Sequence, residues 1–78
     1  MKEIEQIKMR KDIFILNKKY NIPCSSIAKS TGVVERTIRD FLSGRNLSKK
    51  NFNMLKESLL NIQQELKEAE KYKGFNYD

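Results

Sequence analysis

One cysteine and no histidine in a chain of 78 residues do more than any other feature to limit what this sequence can become. A domain of this length has a small core and is often secured by a disulfide, a structural metal or a second subunit. Cys24 has no second cysteine to pair with, which excludes an internal disulfide. Without histidine, a structural zinc site lacks its usual ligands, so no metal and no cofactor are expected. What remains is close packing of secondary structure, or oligomerisation. Hydrophobic residues at 38% supply enough apolar material for a globular domain, beside 33% charged residues.

The spacing of the apolar residues is helical. No window alternates cleanly, and β-branched residues do not cluster between turns. Met9, Ile13, Leu16 and Tyr20 recur at steps of four, three and four, which places them on one stripe of a first helix. The pattern breaks at Asn21-Ile22-Pro23, because proline does not continue a helix. A short helix over 24–30 then runs into Thr31-Gly32-Val33, where glycine can take the left-handed conformation of a tight turn. A second short helix over 34–43 closes at Gly44. A loop over 45–48 follows, with Ser48 as N-cap of a last helix over about 49–73. The tail, 75–78, is expected to fray. The expected fold is all-α: one domain over 1–78, four to five helices, with a central pair of short helices and a long C-terminal helix.

The net charge of +6 is unevenly placed. Residues 1–50 carry twelve Lys and Arg against five Asp and Glu, a balance of +7. Residues 51–78 carry four against five, a balance of −1. A basic front and a near-neutral back suggest polyanion contact followed by a different task. Solubility alone would also account for a surplus of lysine. No apolar run approaches the length of a membrane span, and the opening Met-Lys-Glu-Ile-Glu has no signal-peptide core. A cytoplasmic location is the expectation.

The stretch SIAKSTGVVERTIRDFLSG, residues 26–44, resembles the helix-turn-helix of lambda-repressor-like regulators of phages and bacteria. Each matched position has a physical reason. Ala28 sits where the first short helix crosses the second, and a larger side chain would push them apart. Gly32 makes the turn four residues later. Ile27, Val33, Ile38 and Phe41 fall where side chains must point inward to hold two helices at a steep angle. Leu42 and Gly44 also suit the pattern. The resemblance implies a unit over 23–44 that binds double-stranded DNA, with 34–43 as the recognition helix. Glu35, Arg36, Arg39 and Asp40 would then face base edges. Arginine pairs with guanine O6 and N7, and glutamate accepts from cytosine N4. Arg36 is the leading base reader. Glu35 and Arg39, four apart, also suit a surface ion pair that holds Arg39 until DNA takes it. Asp40 suits the orienting of an arginine better than contact with DNA.

Contacts to the phosphate backbone are assigned to Ser25, Ser26, Lys29, Thr37, Arg45, Asn46, Lys49 and Lys50. The serines open the first short helix, whose free N–H groups favour an anion. Two departures from the family weaken the transfer of individual contacts. Val34 stands where many relatives have a hydroxyl, Asn or Asp cap. Cys24 stands where phage repressors often have glutamine, and is read as a small buried residue with no partner to activate it.

Phe52, Leu55, Leu59, Ile62, Leu66 and Ala69 form a seam over nearly three heptads of the last helix. A helix over 49–73 would be roughly 37 Å long at about 1.5 Å per residue, more than so small a domain can cover. Ile4, Ile7, Phe14 and Ile15 lie off the stripe of the first helix, so that helix is apolar on two faces. Either the first helix packs on the extended last one, or these surfaces meet in a homodimer. A homodimer through Ile4, Ile7, Ile62, Leu66 and Ala69 is preferred, because dimers let such domains bind two half-sites. The seam would equally suit a different protein.

An enzyme is the weakest reading: no histidine, no phosphate loop, no evident carboxylate pair and little chain to enclose a substrate. The rival to DNA binding is a phage-type inhibitor or adaptor that grips another protein with the same scaffold. A compact repressor or autoregulator is expected over an activator, for want of a second domain.

Overall fold

The computed structural model describes residues 3–71, and every regular element among them is a helix. These are α1 (Glu3–Lys18), α2 (Cys24–Thr31), α3 (Glu35–Leu42) and α4 (Lys49–Glu70). The fold is all-α with a long C-terminal helix, as the spacing predicts. The expected last turn of that helix, to residue 73, and the tail over 75–78 lie outside the described residues.

In α1 the expected stripe is the inner face: Met9, Ile13 and Leu16 are buried, and Tyr20 is half-buried just beyond the helix. Glu3 and Glu5 in the first turn and Lys18 in the last complement the helix dipole. Beyond the helix, Asn21 turns the chain at a φ of 56°, a region that asparagine tolerates better than most residues. Asn17 fixes this turn by donating to the Ile22 carbonyl at 2.7 Å. Pro23 then serves as N-cap of α2, with a φ of −75°.

Three residues separate α2 from α3. Gly32 has a φ of 81°, and its N–H donates to the Ala28 carbonyl at 2.9 Å. A Cβ added there would also lie 3.3 Å from the Met54 Cε of α4, so both the handedness and the neighbour favour glycine. Thr31 is buried, and its Oγ1 accepts the Val33 N–H at 3.2 Å, which satisfies a second donor of the turn. Ile27, Val33, Ile38 and Phe41 all point inward and are buried. Ala28 and Leu42 are half-buried against the same core.

Ser48 caps α4 as expected, its hydroxyl accepting the Asn51 N–H at 3.2 Å. Phe52, Leu55 and Leu59 are buried, and they close the core over α2 and the α2–α3 turn. Six side chains are almost wholly enclosed: Ile13, Leu16, Ile27, Ile38, Phe41 and Leu55. Each contributes about 1.5–3 kcal/mol by leaving water. Beyond Leu59, α4 has only half-buried apolar contacts, Ile62 and Leu66. At about 1.5 Å per residue its 22 residues span roughly 33 Å, and the protein measures 46 × 22 × 19 Å.

Two polar side chains of α1 join it to distant segments. Gln6 is 2% exposed; its Nε2 donates to the Leu47 carbonyl at 3.2 Å, and its Oε1 accepts the Leu47 N–H at 3.0 Å. Arg10 donates from Nε to the Phe41 carbonyl at 2.7 Å and from Nη2 to the Arg45 carbonyl at 3.4 Å. Its guanidinium also lies 4.6 Å from the centre of the Phe41 ring. Gln6 thus fixes the loop before α4, and Arg10 fixes the end of α3.

Candidate nucleic-acid interface

α3 is two-faced. Ile38 and Phe41 hold it to the core. At about 100° per residue, Arg36, Arg39, Asp40 and Ser43 fall on the opposite side. Arg36 and Arg39 are exposed, while Glu35, Thr37 and Asp40 are half-buried. The helix therefore brings three of the four expected base-reading residues, Arg36, Arg39 and Asp40, onto one outward surface, and leaves Glu35 on its flank.

Arg39 is already engaged. Its Nε and Nη2 each lie 2.7 Å from Glu35 Oε2, the expected pairing of residues four apart. The hydrogen bond that Arg39 donates to Glu35, reinforced by the charge of the carboxylate, raises the pKa of the guanidinium above its ordinary value. Arg36, one turn back, has no carboxylate partner within ion-pair distance among the described residues. Among the described residues Asp40 holds no arginine, contrary to the expectation; Glu35 does so instead, because it lies one helical turn before Arg39. Asp40 instead contributes its backbone carbonyl, which accepts the N–H groups of Ser43 and Arg45 at 3.1 Å each. The four residues sum to a formal charge of zero, two cations against two anions.

Of the residues assigned to the phosphate backbone, Ser25, Ser26, Lys29, Arg45, Asn46, Lys49 and Lys50 are exposed and Thr37 is half-buried. Two are less free than expected. The Ser26 N–H donates to the Pro23 carbonyl at 3.1 Å, so the opening turn of α2 offers fewer open donors. The Asn46 Nδ2 donates to Glu3 Oε2 at 3.1 Å, which ties that side chain to α1. Neither α2 nor α3 has a side-chain N-cap. The Gly32–Met54 contact brings α4 against the α2–α3 turn, and Lys50 precedes Met54 by one turn on the same side of α4. Lys50 therefore flanks the turn that leads into α3. Arg10 was not singled out in the sequence, yet it is the residue that anchors the far end of α3.

The residues expected at a dimer interface divide into two sets. Ile4 and Ile7 are exposed, at 63% and 52%, and Phe14 and Ile15 join them on the outer face of α1. Ile62 and Leu66 are half-buried against this chain's own core, while Ala69 is exposed. The end of α4 lies beside the end of α1, where the Tyr20 hydroxyl donates to Glu70 Oε1 at 3.3 Å. Cys24 is buried, and its Sγ lies 3.7 Å from Asn17 Oδ1. Among the described residues no helix is long and apolar enough to cross a membrane. No family model, curated protein or solved structure matches the chain.

Proposed function

We propose that this chain is a DNA-binding protein of the helix-turn-helix class, with α3 as the helix that enters the major groove. Within that class it is read as a small transcriptional repressor or autoregulator, cytoplasmic and working as a homodimer. The observation that carries the reading is the two-faced α3. It is fixed inward by Ile38 and Phe41 and presents Arg36 and Arg39 outward, and Lys29, Arg45, Lys49 and Lys50 of the flanking segments are exposed as well. Arg36 reads a base edge directly. Arg39 is delivered pre-oriented by Glu35, and a guanine exchanges for the carboxylate on binding. Lys50, beside the turn, and Lys29 and Arg45 hold the phosphates and set the register.

The zero net charge of the α3 surface favours a second reading, an adaptor that grips a protein through the same helix. Duplex binding separates the two. Wild-type affinity for a duplex selected from a random library falls with log salt, at about −0.9 per phosphate contacted. Arg36→Ala loses roughly 1–3 kcal/mol on the selected duplex and relaxes the base choice at one position. Lys50→Ala weakens all duplexes about equally. Salt-independent binding, or an Arg36→Ala variant with unchanged affinity and preference, refutes the DNA reading.

A further inference from the structure

Val34 is the most exposed large apolar side chain among the described residues, at 68%. Its neighbour Val33 is 2% exposed and belongs to the core, so the fold accounts for one valine of the pair and not the other. Val34 is the N-cap of α3, with φ −58° and ψ 135°, and it makes no side-chain cap. Ser, Thr, Asn or Asp here would accept an N–H from the first turn of the helix. Valine forgoes that hydrogen bond and places two methyl groups in water at the leading end of α3, just before Arg36.

Resting on the DNA reading above, we infer that Val34 is a specificity residue that packs on the C5-methyl group of a pyrimidine in the major groove. The leading end of a recognition helix is the part that approaches base edges. Among the unmodified bases only thymine offers an apolar group in that groove. Val34 and Arg36 then read different chemistry on neighbouring base pairs, a methyl group and the O6/N7 edge of guanine. Methylated cytosine carries the same group in the same place, so the ligand chemistry is the C5-methyl and its two sources are thymine and 5-methylcytosine.

The test uses the full chain and the duplex it selects from a random library. Each thymine is replaced in turn by deoxyuridine, which removes only the methyl, and each cytosine by 5-methylcytosine. Burial of one methyl corresponds to about a fourfold change in affinity. Wild-type affinity is expected to fall about fourfold on replacing one thymine per half-site. Val34→Ser then binds the thymine and uracil duplexes equally, and Val34→Ala, which keeps one methyl, discriminates less than wild type. Val34→Ser also melts at a higher temperature than wild type, because serine restores the cap, so its lost discrimination is not unfolding. If instead methylation of one cytosine raises wild-type affinity and Val34→Ser abolishes the gain, the methyl contact stands with 5-methylcytosine as its source. Tight binding indifferent to every replacement overturns the role of Val34 and leaves the DNA reading intact. A response that persists in Val34→Ser overturns it likewise. Failure to bind any duplex overturns both.

Discussion

Replacing Gln6 with methionine, nearly its equal in length, removes the amide without opening a large cavity. It leaves the Leu47 N–H and C=O facing an apolar side chain, where Gln6 now supplies a partner to each. Leu47 is 6% exposed and Gln6 2%, so water does not readily replace the amide. An unpaired buried polar group costs about 1–3 kcal/mol, and two cost roughly 2–6 kcal/mol. A chain of 78 residues has a total stability of about 4–12 kcal/mol, so the variant forfeits a large share of it. At about 4–8 °C per kcal/mol, the melting temperature falls by roughly 10–50 °C. Urea unfolding followed by far-ultraviolet circular dichroism reads the change as a lower midpoint at an unchanged slope. Lys8→Met, on the exposed side of the same helix, is the control and stays within about 0.5 kcal/mol of wild type. A Gln6→Met variant as stable as Lys8→Met would refute the view that this amide fixes the loop before α4.

Two further outcomes follow from the turn and from the outer face of α1. Gly32→Ala places a side chain at a φ of 81° and 3.3 Å from Met54 Cε, so thermal unfolding should show a loss of about 1–2 kcal/mol from handedness alone; wild-type stability would contradict this account of the turn. Phe14→Lys should convert a dimer to a monomer with unchanged circular dichroism, because Phe14 is 41% exposed and outside the core; a wild-type monomer in sedimentation at micromolar concentration would sink the homodimer. Leu66 is the poorer site for that test, since it is half-buried on its own chain and a charge there perturbs the fold as well.

The features legible in the sequence are those with a local signature. Met9, Ile13 and Leu16 declare a helix face by spacing, Gly32 declares a left-handed turn, and Ser48 declares a cap, each within a few residues. Gln6, Arg10 and Thr31 carry no such mark. Apolar periodicity ignores them, and the first two find their partners 31 to 41 positions away. The heptad seam of α4 was legible as a seam, but spacing does not say what covers it. Ile62 and Leu66 turn inward upon their own chain, and the outer apolar surface falls mainly to α1, with Leu60 exposed on α4. In the candidate interface, the outward placement of Arg36 and Arg39 follows from the helix period. The Glu35–Arg39 pair was legible too, from its spacing of four, whereas the part expected of Asp40 depended on side-chain geometry.

The tie from Arg10 to the end of α3 has a consequence for modularity. α2 and α3 are eight residues each, below the roughly 12–15 at which an isolated helix is even marginal in water. A fragment over 23–44 keeps its turn but loses the cation on the Phe41 carbonyl and ring, and the Met54 contact behind Gly32. What reads as a self-contained motif is therefore not a portable part. A chimera meant to transplant this surface must carry α1 and the first half of α4 with it, or it transplants two disordered peptides.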